Sequence, residues 1–429
     1  MSILRAMYTG VTGINAEGDA LGVIGDNIAN VNTIGFKQQR GLFEDVLGHS
    51  IATSDGAGSG VRMSDVQQMF TQGSLSSTGV STDLALSGDG FFVVHGSVDG
   101  LPGNYYTRAG QTQIDREGHL VTGSGMQVQG YAAQAGGAFA TSLTTLKLPT
   151  SALPPLPTAN LSITANLDAS AAVPAGAWDQ STPGATSNFS TSISVYDSLG
   201  QSHTANVYFA KTAAGSWDYH ALVDGADMAG GTAGTPIEIG SGTLAFSPSG
   251  ALDSVTTNVP FAPSFVGAQP SQAMTLSLGT PTSTGGSGLD GITQFATPSS
   301  VSAQSQDGYG SGDLSGIAID GGGVVRGIYS NGQKVAVGQL AIAKFRSNEG
   351  LGRAGQGLFT ATRDSGEASI GVSGTGGRAA VSAGTLEQSN VDLAQQFVDL
   401  ISHQRSFQAN SKTITTADEM LQELVNLKR

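Results

Sequence analysis

Two glycine-spaced strings could in principle cradle a dinucleotide pyrophosphate: Gly350-Leu-Gly352-Arg-Ala-Gly355 and Gly286-Ser-Gly288-Leu-Asp-Gly291. That chemistry needs a strand before the glycines and a helix N-terminus after them. The first string follows a strand-like run, but Gln356-Gly-Leu-Phe359 does not open a helix, and the second lies in a glycine-rich stretch. With 62 glycines in the chain, both strings are expected by chance. Ser411-Lys412-Thr413 lacks the glycine loop that precedes a phosphate-binding lysine. The six histidines (His49, His95, His119, His203, His220 and His403) show neither a His-Glu-x-x-His pair nor close ligand spacing. Asp115 and Glu117 could pose as a carboxylate pair, yet Asp115-Arg-Glu-Gly118 reads more simply as a hairpin turn. Cysteine is absent, which removes disulfides, thiolate metal sites and thiol catalysis. The expectation is a structural chain with no catalytic, cofactor or metal site, and not an enzyme.

Composition narrows the classes further. A chain of 429 residues is long enough for two to four domains. Only 12% of residues are charged, against roughly 25% in an ordinary soluble domain. Abundant glycine and small polar residues, with 6% aromatics, predict β-structure with many turns. The net charge of -14 argues against nucleic acid, since phosphate binding needs surplus Lys and Arg. No run approaches the ~18 apolar residues that span a bilayer, so membrane insertion is not expected. The first ten residues, Met1–Gly10, hold one basic residue and no apolar core of a secretory signal. Taken alone, these signals describe a soluble cytoplasmic protein.

The two ends carry the strongest periodicity. Met7, Ile14, Leu21 and Ile28 recur every seven residues, with Leu4 and Val11 as a second column. Leu386, Leu393, Leu400, Phe407, Ile414 and Leu421 repeat the spacing at the other end. A strict heptad keeps one seam toward a partner helix. From about Asp392 to Leu427 there is no Pro or Gly, which favours a helix. The second column there is mixed: Phe397 and Val425 are apolar, whereas Gln404, Ser411 and Asp418 are not. One amphipathic helix covering an ordinary domain is therefore the alternative. Gly10, Gly13, Gly18, Gly22 and Gly25 each cost about 1 kcal/mol relative to Ala in a helix interior. Both termini are accordingly expected to be mobile in the free subunit and to fold on polymerisation. Asn27, Asn30, Asn32 and Gly35, followed by Phe36, then read as helix-stop and turn chemistry.

Between the ends the pattern is β. Leu161, Ile163, Ala165 and Leu167 alternate with polar residues, as do Met274, Leu276 and Leu278. Thr204–Phe209 and Trp217–Val223 read as strands, with turns at Asp197-Ser-Leu-Gly200 and Asp224-Gly225. Pro-rich Leu148–Pro157 and Gly/Thr/Ser-rich Thr280–Gly291 read as linkers around them. Val324–Tyr329 and Lys334–Val337 flank Asn331-Gly332, a strong hairpin signal, and Gly338–Phe345 reads as a further strand. Residues 147–298 hold nine acids against two bases, a surplus whose mutual repulsion would discourage lateral sticking. The predicted fold is mainly β and multidomain, with α-helical N- and C-terminal segments pairing in a coiled-coil-like layer and nested, discontinuous domains. Its expected parts are a helical domain (1–30 and 390–429), a connecting extended or loop segment (31–70 and 385–389), a β core (71–146 and 299–384) and an inserted outer β domain (147–298).

Several strings carry a family resemblance. Asn27-Ile-Ala-Asn30-Val-Asn32-Thr-Ile-Gly35-Phe36-Lys37 resembles the N-terminal signature of the bacterial flagellar rod and hook proteins. Ser87-Gly-Asp-Gly-Phe-Phe-Val-Val94 is similar to that family's first core strand. Tyr106-Thr-Arg-Ala-Gly110, Ile114-Asp-Arg-Glu-Gly-His-Leu-Val-Thr122 and Val128-Gln-Gly-Tyr131 resemble its second shared block. Gly384-Thr-Leu-Glu-Gln-Ser-Asn-Val-Asp-Leu393 and Asn426-Leu-Lys-Arg429 are similar to its C-terminal end. Residues near Lys147 to Pro298 form a long insertion that rod members typically lack, and Gln306–Gly312 with Tyr329–Gln333 also looks hook-like.

A hook-type member is thus the first reading, and a distal-rod-type axial subunit the second. The resemblance implies a self-polymerising subunit of a flexible tube that transmits torque from rod to filament, with an inner helical layer and β-domains projecting outward. Its implied partners are further copies of itself, the rod, the hook cap, the hook-filament junction proteins and the flagellar type III export apparatus. Export by that route needs no cleavable signal, which would place the protein outside the cell despite its plain N-terminus. The implied assembly residues are Leu4, Met7, Val11, Ile14, Leu21 and Ile28, the column from Leu386 to Leu421, and Asn27, Asn30, Asn32, Gly35 and Phe36. Whether each helix meets its own partner or a neighbour's stays open, as does a carbohydrate-binding role for Trp178, Trp217 and Tyr219, which read more simply as core.

Overall fold

The computed structural model describes residues 3–47, 58–134 and 136–426. His49 and the closing Leu427-Lys-Arg429 lie outside the described residues. The chain divides into two compact units, one of residues 1–150, 315–328 and 334–429, the other of 151–314 and 329–333.

The first unit holds both long helices, Ile3–Ala29 and Leu393–Asn426. Asp392 starts the second by accepting from the backbone N–H of Ala394 at 2.9 Å and of Gln395 at 3.3 Å, the usual service of an N-cap carboxylate. The first ends where the Asn30 side chain donates back to the Asp26 carbonyl at 2.9 Å and Gly35 takes a left-handed φ of 69°. No helix among the described residues is long and apolar enough to cross a membrane. The segment after the first helix pairs as an antiparallel hairpin, Gln39–Leu47 with Gly58–Gln68.

The β part of this unit is a twelve-stranded sheet system. Its organising strand, Lys334–Lys344, pairs with Val324–Tyr329, Gln127–Ala132, Phe91–Val98 and Ser369–Val372. The sequence pattern suggests two strands here, broken near Gly338, but one continuous strand forms. Gly338 is present for space: a Cβ there would lie 2.5 Å from Leu146 Cδ2. Phe91-Phe-Val-Val94 is apolar without alternation because both faces are covered. Phe92 and Val94 pack with Leu120, Leu340 and Ile342, whereas Phe91 and Val93 pack with Tyr106, Phe345 and Phe359.

The second unit contains a five-stranded antiparallel meander, Phe189–Tyr196, Ser202–Ala213, Ser216–Asp224, Pro236–Phe246 and Leu252–Val259. A three-stranded sheet of Thr275–Ser277, Asn160–Asn166 and Ser300–Gln306 shares its core. The alternating Leu161, Ile163, Ala165 and Leu167 all point into that core, beside Phe209, Trp217, Tyr219 and Phe265. Trp217 and Tyr219 are therefore buried and offer no aromatic platform.

Thr280–Gly291 is not a linker but a folded loop. Asp290 accepts from the Thr280 backbone N–H at 2.8 Å and its hydroxyl at 2.7 Å, and the Leu252 N–H donates to the Gly288 carbonyl at 2.8 Å. Those two bonds from Thr280 hold the Asp290 carboxyl below the ordinary value of 3.8. Gly286, Gly288 and Gly291 serve close approach, since a Cβ on each would lie 2.2, 2.5 and 2.1 Å from a backbone oxygen.

Because Trp217 is fully buried, replacing it with Ala is expected to destabilise the second unit by about 3–5 kcal/mol. Denaturant unfolding of the full chain followed by a probe in that unit checks this, and a loss below about 1 kcal/mol would contradict the packing described.

Candidate functional site

The terminal helices run antiparallel, and their seam is made of small and polar residues. Going up the first helix, Gly10 faces Ile414, Gly13 faces Asn410, Glu17 meets His403, and Asn27 meets Gln396. A Cβ on Gly10 would lie 2.8 Å from Ile414 Cγ1, and one on Gly13 would lie 2.6 Å from Asn410 Nδ2. These two glycines let the backbones approach closely, which accounts for part of the helix's glycine content. Ala16, Ala20 and Ile24 continue the buried stripe. Two polar contacts fix the register: His403 Nδ1 lies 2.5 Å from Glu17 Oε2, and Asn27 Nδ2 donates to Gln396 Oε1 at 2.9 Å.

Below the seam lies a joint of buried polar groups. Asn27 also donates to the Gln39 carbonyl at 2.8 Å and accepts from the Gln39 N–H at 2.8 Å, locking helix to hairpin. Lys37 reaches Glu387 Oε1 at 2.6 Å, while Arg108 reaches Glu387 Oε2 at 3.3 Å. All three side chains are at most 2% exposed. The Gly73 N–H donates to the same carboxylate at 2.9 Å, Lys37 also donates to the Thr71 carbonyl at 2.8 Å, and Arg108 to that of Gly88 at 2.9 Å. The Gly35 N–H donates to the Glu387 carbonyl at 2.8 Å. Asn390 closes the ring by donating to the Met69 carbonyl at 2.8 Å and accepting from the Gln38 N–H at 2.7 Å.

Two cations thus share one buried carboxylate, and burial dominates the balance. It pushes the Lys37 ammonium below its ordinary 10.5, with Glu387 only partly opposing the shift. Burial likewise lowers the Arg108 guanidinium from its ordinary value, again with Glu387 opposing the shift. A lysine pKa lower in the folded than in the unfolded chain means that the unfolded chain binds the proton more tightly. Stability from this group therefore rises with pH in the window below 10.5.

The residues selected from sequence fall into two sets. Asn27, Gly35 and Leu386 are buried in the joint region, and a Cβ on Gly35 would lie 2.6 Å from the Ala109 backbone nitrogen. Leu386 is not helical: it sits in the strand Thr385–Glu387, paired with Leu75–Ser77. Asn30 caps the helix and accepts from the Thr33 hydroxyl at 3.0 Å; Phe36 is half-buried, and Asn32 is exposed. Of the heptad columns, Met7, Ile14, Leu21, Ile28, Leu400, Ile414 and Leu421 are half-buried, and Ile414 faces Gly10 in the seam. Leu4, Val11, Leu393 and Phe407 are exposed. The columns are displaced because the small-residue face of the first helix permits a closer approach than Leu or Met would.

Sequence reasoning missed Lys37, Arg108, Glu387, Asn390 and Gln396. Lys37 and Arg108 each stand as the lone charge of a family-like string and Glu387 shares its string only with Asp392, in a chain where charge is scarce, and that was the available signal.

None of this is catalytic geometry. One cavity beside the joint, lined by Ile24, Asn27, Gln39, Phe43, Gln396 and His403, is about 140 Å³, below the roughly 300 Å³ of a small-molecule site; a second, of about 530 Å³ beside Thr71, Gly73 and Asn390, has Asp392 as its one charged residue. Asp115, Glu117 and His119 are the one group of three His, Asp or Glu side chains among the described residues whose ligand atoms lie close enough together to share a metal ion. There Asp115 accepts from the His119 N–H at 2.7 Å and Gly118 has φ of 89°, which is a closed hairpin turn. Gly352–Gly355 and Leu358–Thr360 form a hairpin, so the dinucleotide-like string opens no helix.

Removing the shared carboxylate should cost more than removing one cation. Glu387→Gln strands two buried cations and is expected to destabilise by about 3–5 kcal/mol. Lys37→Met leaves the Arg108–Glu387 pair balanced and should cost under about 2 kcal/mol. Relative to Lys37→Met, the wild type should also gain stability as pH rises toward 10.5. Denaturant titrations of the three proteins check both statements; equal losses for the two variants would contradict the joint.

Comparison with known proteins follows the same segments. The family model described as "Flagella basal body rod protein" matches residues 7–37, and "Flagellar basal body rod FlgEFG protein C-terminal" matches 382–427. "Flagellar hook protein FlgE/F/G D1 domain" matches 85–168, and "Flagellar basal body protein FlaE D2 domain" matches 166–309. The flagellar hook protein FlgE of Borreliella burgdorferi is 35% identical, over 99% of this chain and 100% of that one. That of Escherichia coli is 34% identical, again over 99% and 100%. The crystal structure of the Helicobacter pylori flagellar hook protein FlgE2 shares the fold at a TM-score of 0.52 and 15% identity, covering 73% of this chain and 100% of that one. With these relatives 34–35% identical over 99% of its length, the chain belongs to the flagellar hook protein FlgE family, and it is a structural subunit of the hook and not an enzyme.

Proposed function

We propose that the paired terminal helices form the layer through which copies of this chain assemble into the hook tube. The observation that carries this reading is the apolar surface they leave uncovered. Tyr8 is 72% exposed, Leu4 57%, Val398 61% and Phe397 52%, with Val11, Leu393 and Ile401 beside them in exposure. Large apolar faces of this kind mark protein–protein contacts. Gly18, Gly22 and Gly25 have nothing within 4 Å of a Cβ position, unlike Gly10 and Gly13. Their helix cost has no return within one subunit, and close approach of a neighbouring helix would supply one.

The selected residues then divide by task. Asn27, Asn30, Gly35 and Leu386 shape the joint within a copy, with Asn32 and Phe36 at its edge. Met7, Ile14, Leu21, Ile28, Leu400, Ile414 and Leu421 line the seam and its borders, and Leu4, Val11, Leu393 and Phe407 face other copies. Residues 1–30 and 390–429 serve as the assembly domain, 31–70 and 385–389 as the connection, 71–146 and 299–384 as the β core, and 147–298 as the inserted outer domain. Partners beyond the chain itself are the rod, the hook cap, the hook-filament junction proteins and the type III export apparatus. The protein acts outside the cell after export by that route. Support for this wider setting comes from the family, whose members are named for the hook, and from the absence of cysteine, which suits a chain moving between redox compartments.

Phe397→Ser with Ile401→Ser tests the assembly face. These exposed changes are expected to alter subunit stability by less than about 0.5 kcal/mol yet abolish tubes seen by sedimentation and electron microscopy. Tubes at the wild-type critical concentration would contradict the proposal. A second expectation concerns folding: with a seam of small and polar residues, the helix amides of 3–29 and 393–426 should exchange quickly in dilute subunit and slowly in tubes. Full protection in dilute subunit would contradict folding on assembly.

A further inference from the structure

Among the described residues, one acid–imidazole pair joins the two terminal helices: Glu17 of the first and His403 of the second. His403 Nδ1 lies 2.5 Å from Glu17 Oε2, a separation that requires a proton between the two atoms. The His403 side chain is 28% exposed and that of Glu17 19%, so solvent screens the contact only weakly.

The surroundings supply no substitute for the imidazole. From the hairpin strand Gln39–Leu47, the Phe43 ring stacks on His403 with centroids 6.2 Å apart and planes at 22°. Arg40 lines the cavity beside the ring, but its guanidinium donates to Gln67 Oε1 at 2.6 Å. Glu44 is turned to Arg62 at 3.1 Å, and Asp45 is exposed. On the second helix itself, Asp399 lines the same cavity one turn before His403 and accepts from Gln395 at 2.8 Å. The charged groups around the contact are thus two carboxylates, the imidazole and an arginine engaged elsewhere.

We infer that His403 and Glu17 form a proton-dependent latch that holds the terminal helices in register on the acid side of the imidazole range and loosens them on the alkaline side. The inference deepens, and rests on, the reading of the helix pair as the assembly layer. Imidazole is the side chain that changes charge between about pH 5 and 8. Protonated, the ring meets Glu17 as an ion pair. Neutral, it can still donate from Nδ1, but it leaves a largely buried carboxylate without a counter-charge, with Asp399 on the same cavity. Paired helices therefore hold this proton more firmly than separated ones. Pairing is strongest between the carboxylate and imidazole ranges, about pH 5 to 6.5, and weakens as pH rises. The seam makes the effect count. Its other contacts come mostly from glycine, alanine, asparagine and glutamine, so one ion pair is a sizeable share of what joins the helices. A subunit that assembles outside the cell meets the pH of the medium at that step, and a mildly acid medium favours growth of the tube.

The test uses full-length protein and the critical concentration for tube formation, measured by pelleting at fixed ionic strength from about pH 5.5 to about pH 8.5. Wild type is compared with His403→Gln, neutral throughout, and His403→Arg, charged throughout. The cavity of about 140 Å³ beside His403 leaves room for the longer arginine. Glu17→Gln removes the charge from the other partner and keeps an acceptor for the ring. Both tryptophans, Trp178 and Trp217, lie in the second unit, so their fluorescence checks that each variant keeps its β structure there.

Relative to His403→Gln, wild type is expected to show a critical concentration roughly two- to fivefold higher at the alkaline end than at the acid end. His403→Arg should stay near the acid wild-type value across the range and His403→Gln near the alkaline one, while Glu17→Gln should lose the wild-type dependence. If the arginine variant does not assemble, the two glutamine variants carry the comparison. A wild-type dependence that persists unchanged in His403→Gln and Glu17→Gln overturns the inference, and so does a wild type that assembles equally at both ends. Absence of tubes from every protein at every pH would instead overturn the assembly reading on which the inference rests.

Discussion

Everything at the ends of this molecule depends on one carboxylate. Glu387 is fully buried and lies 350 positions along the chain from Lys37, whose ammonium it holds at 2.6 Å. It is satisfied by groups from three further places: Arg108 from the sheet, the Gly73 N–H from the strand approach, and the Gly35 N–H at its own carbonyl. A buried carboxylate with that many donors fixes positions more than it adds stability, because desolvation offsets most of the Coulomb attraction. Its consequence is geometric. The turn after the first helix and the approach to the second are pinned to each other and to the sheet, so the helices must leave side by side. Gly35 follows from the same constraint, since only glycine leaves room for the Arg108–Ala109 backbone against that turn.

Beyond the joint, the helix pair divides its surface in a way that suits a subunit. The inward face uses glycine, alanine, asparagine and one histidine–glutamate contact, all of which give register with little hydrophobic gain. Ile24 and Ile414 are the larger apolar residues turned inward, while Leu4, Tyr8, Val11, Phe397, Val398 and Ile401 stay exposed. An apolar seam with a polar exterior would make a stable monomer; the reverse arrangement makes a pair that gains most when other copies cover it. The five glycines of the first helix fit the same division, with Gly10 and Gly13 serving the partner within the chain and Gly18, Gly22 and Gly25 left open.

Much of this was legible in the residues. The alternation over Leu161–Leu167 predicts a half-buried strand, and Asn160–Asn166 is one, because a two-residue period leaves no other face to bury. Asn331-Gly332 predicts the hairpin turn, and Gly332 takes the required positive φ of 81°. The ends of both helices follow from Asp392 and the asparagine cluster. The heptads located the helices but not their seam, since periodicity identifies an apolar face without saying whether it meets a partner in the same chain or in another. Thr280–Gly291 looks like a linker because glycine permits both flexibility and close packing, and Asp290 decides for the second. The buried joint was least legible. Lys37, Arg108 and Glu387 are far apart in sequence, and burial of an isolated charge is normally improbable until its partners are known.

The central claim is that the joint orients the helix pair so that its uncovered apolar face becomes the contact between copies. Helical reconstruction by electron cryo-microscopy of tubes grown from the purified chain tests it most directly. The expected map shows both terminal helices innermost and antiparallel, the Lys37–Glu387–Arg108 joint intact, and Tyr8, Phe397 and Val398 covered by neighbouring subunits. A map in which those side chains face solvent, or in which the helices lie apart with the joint broken, would contradict the account.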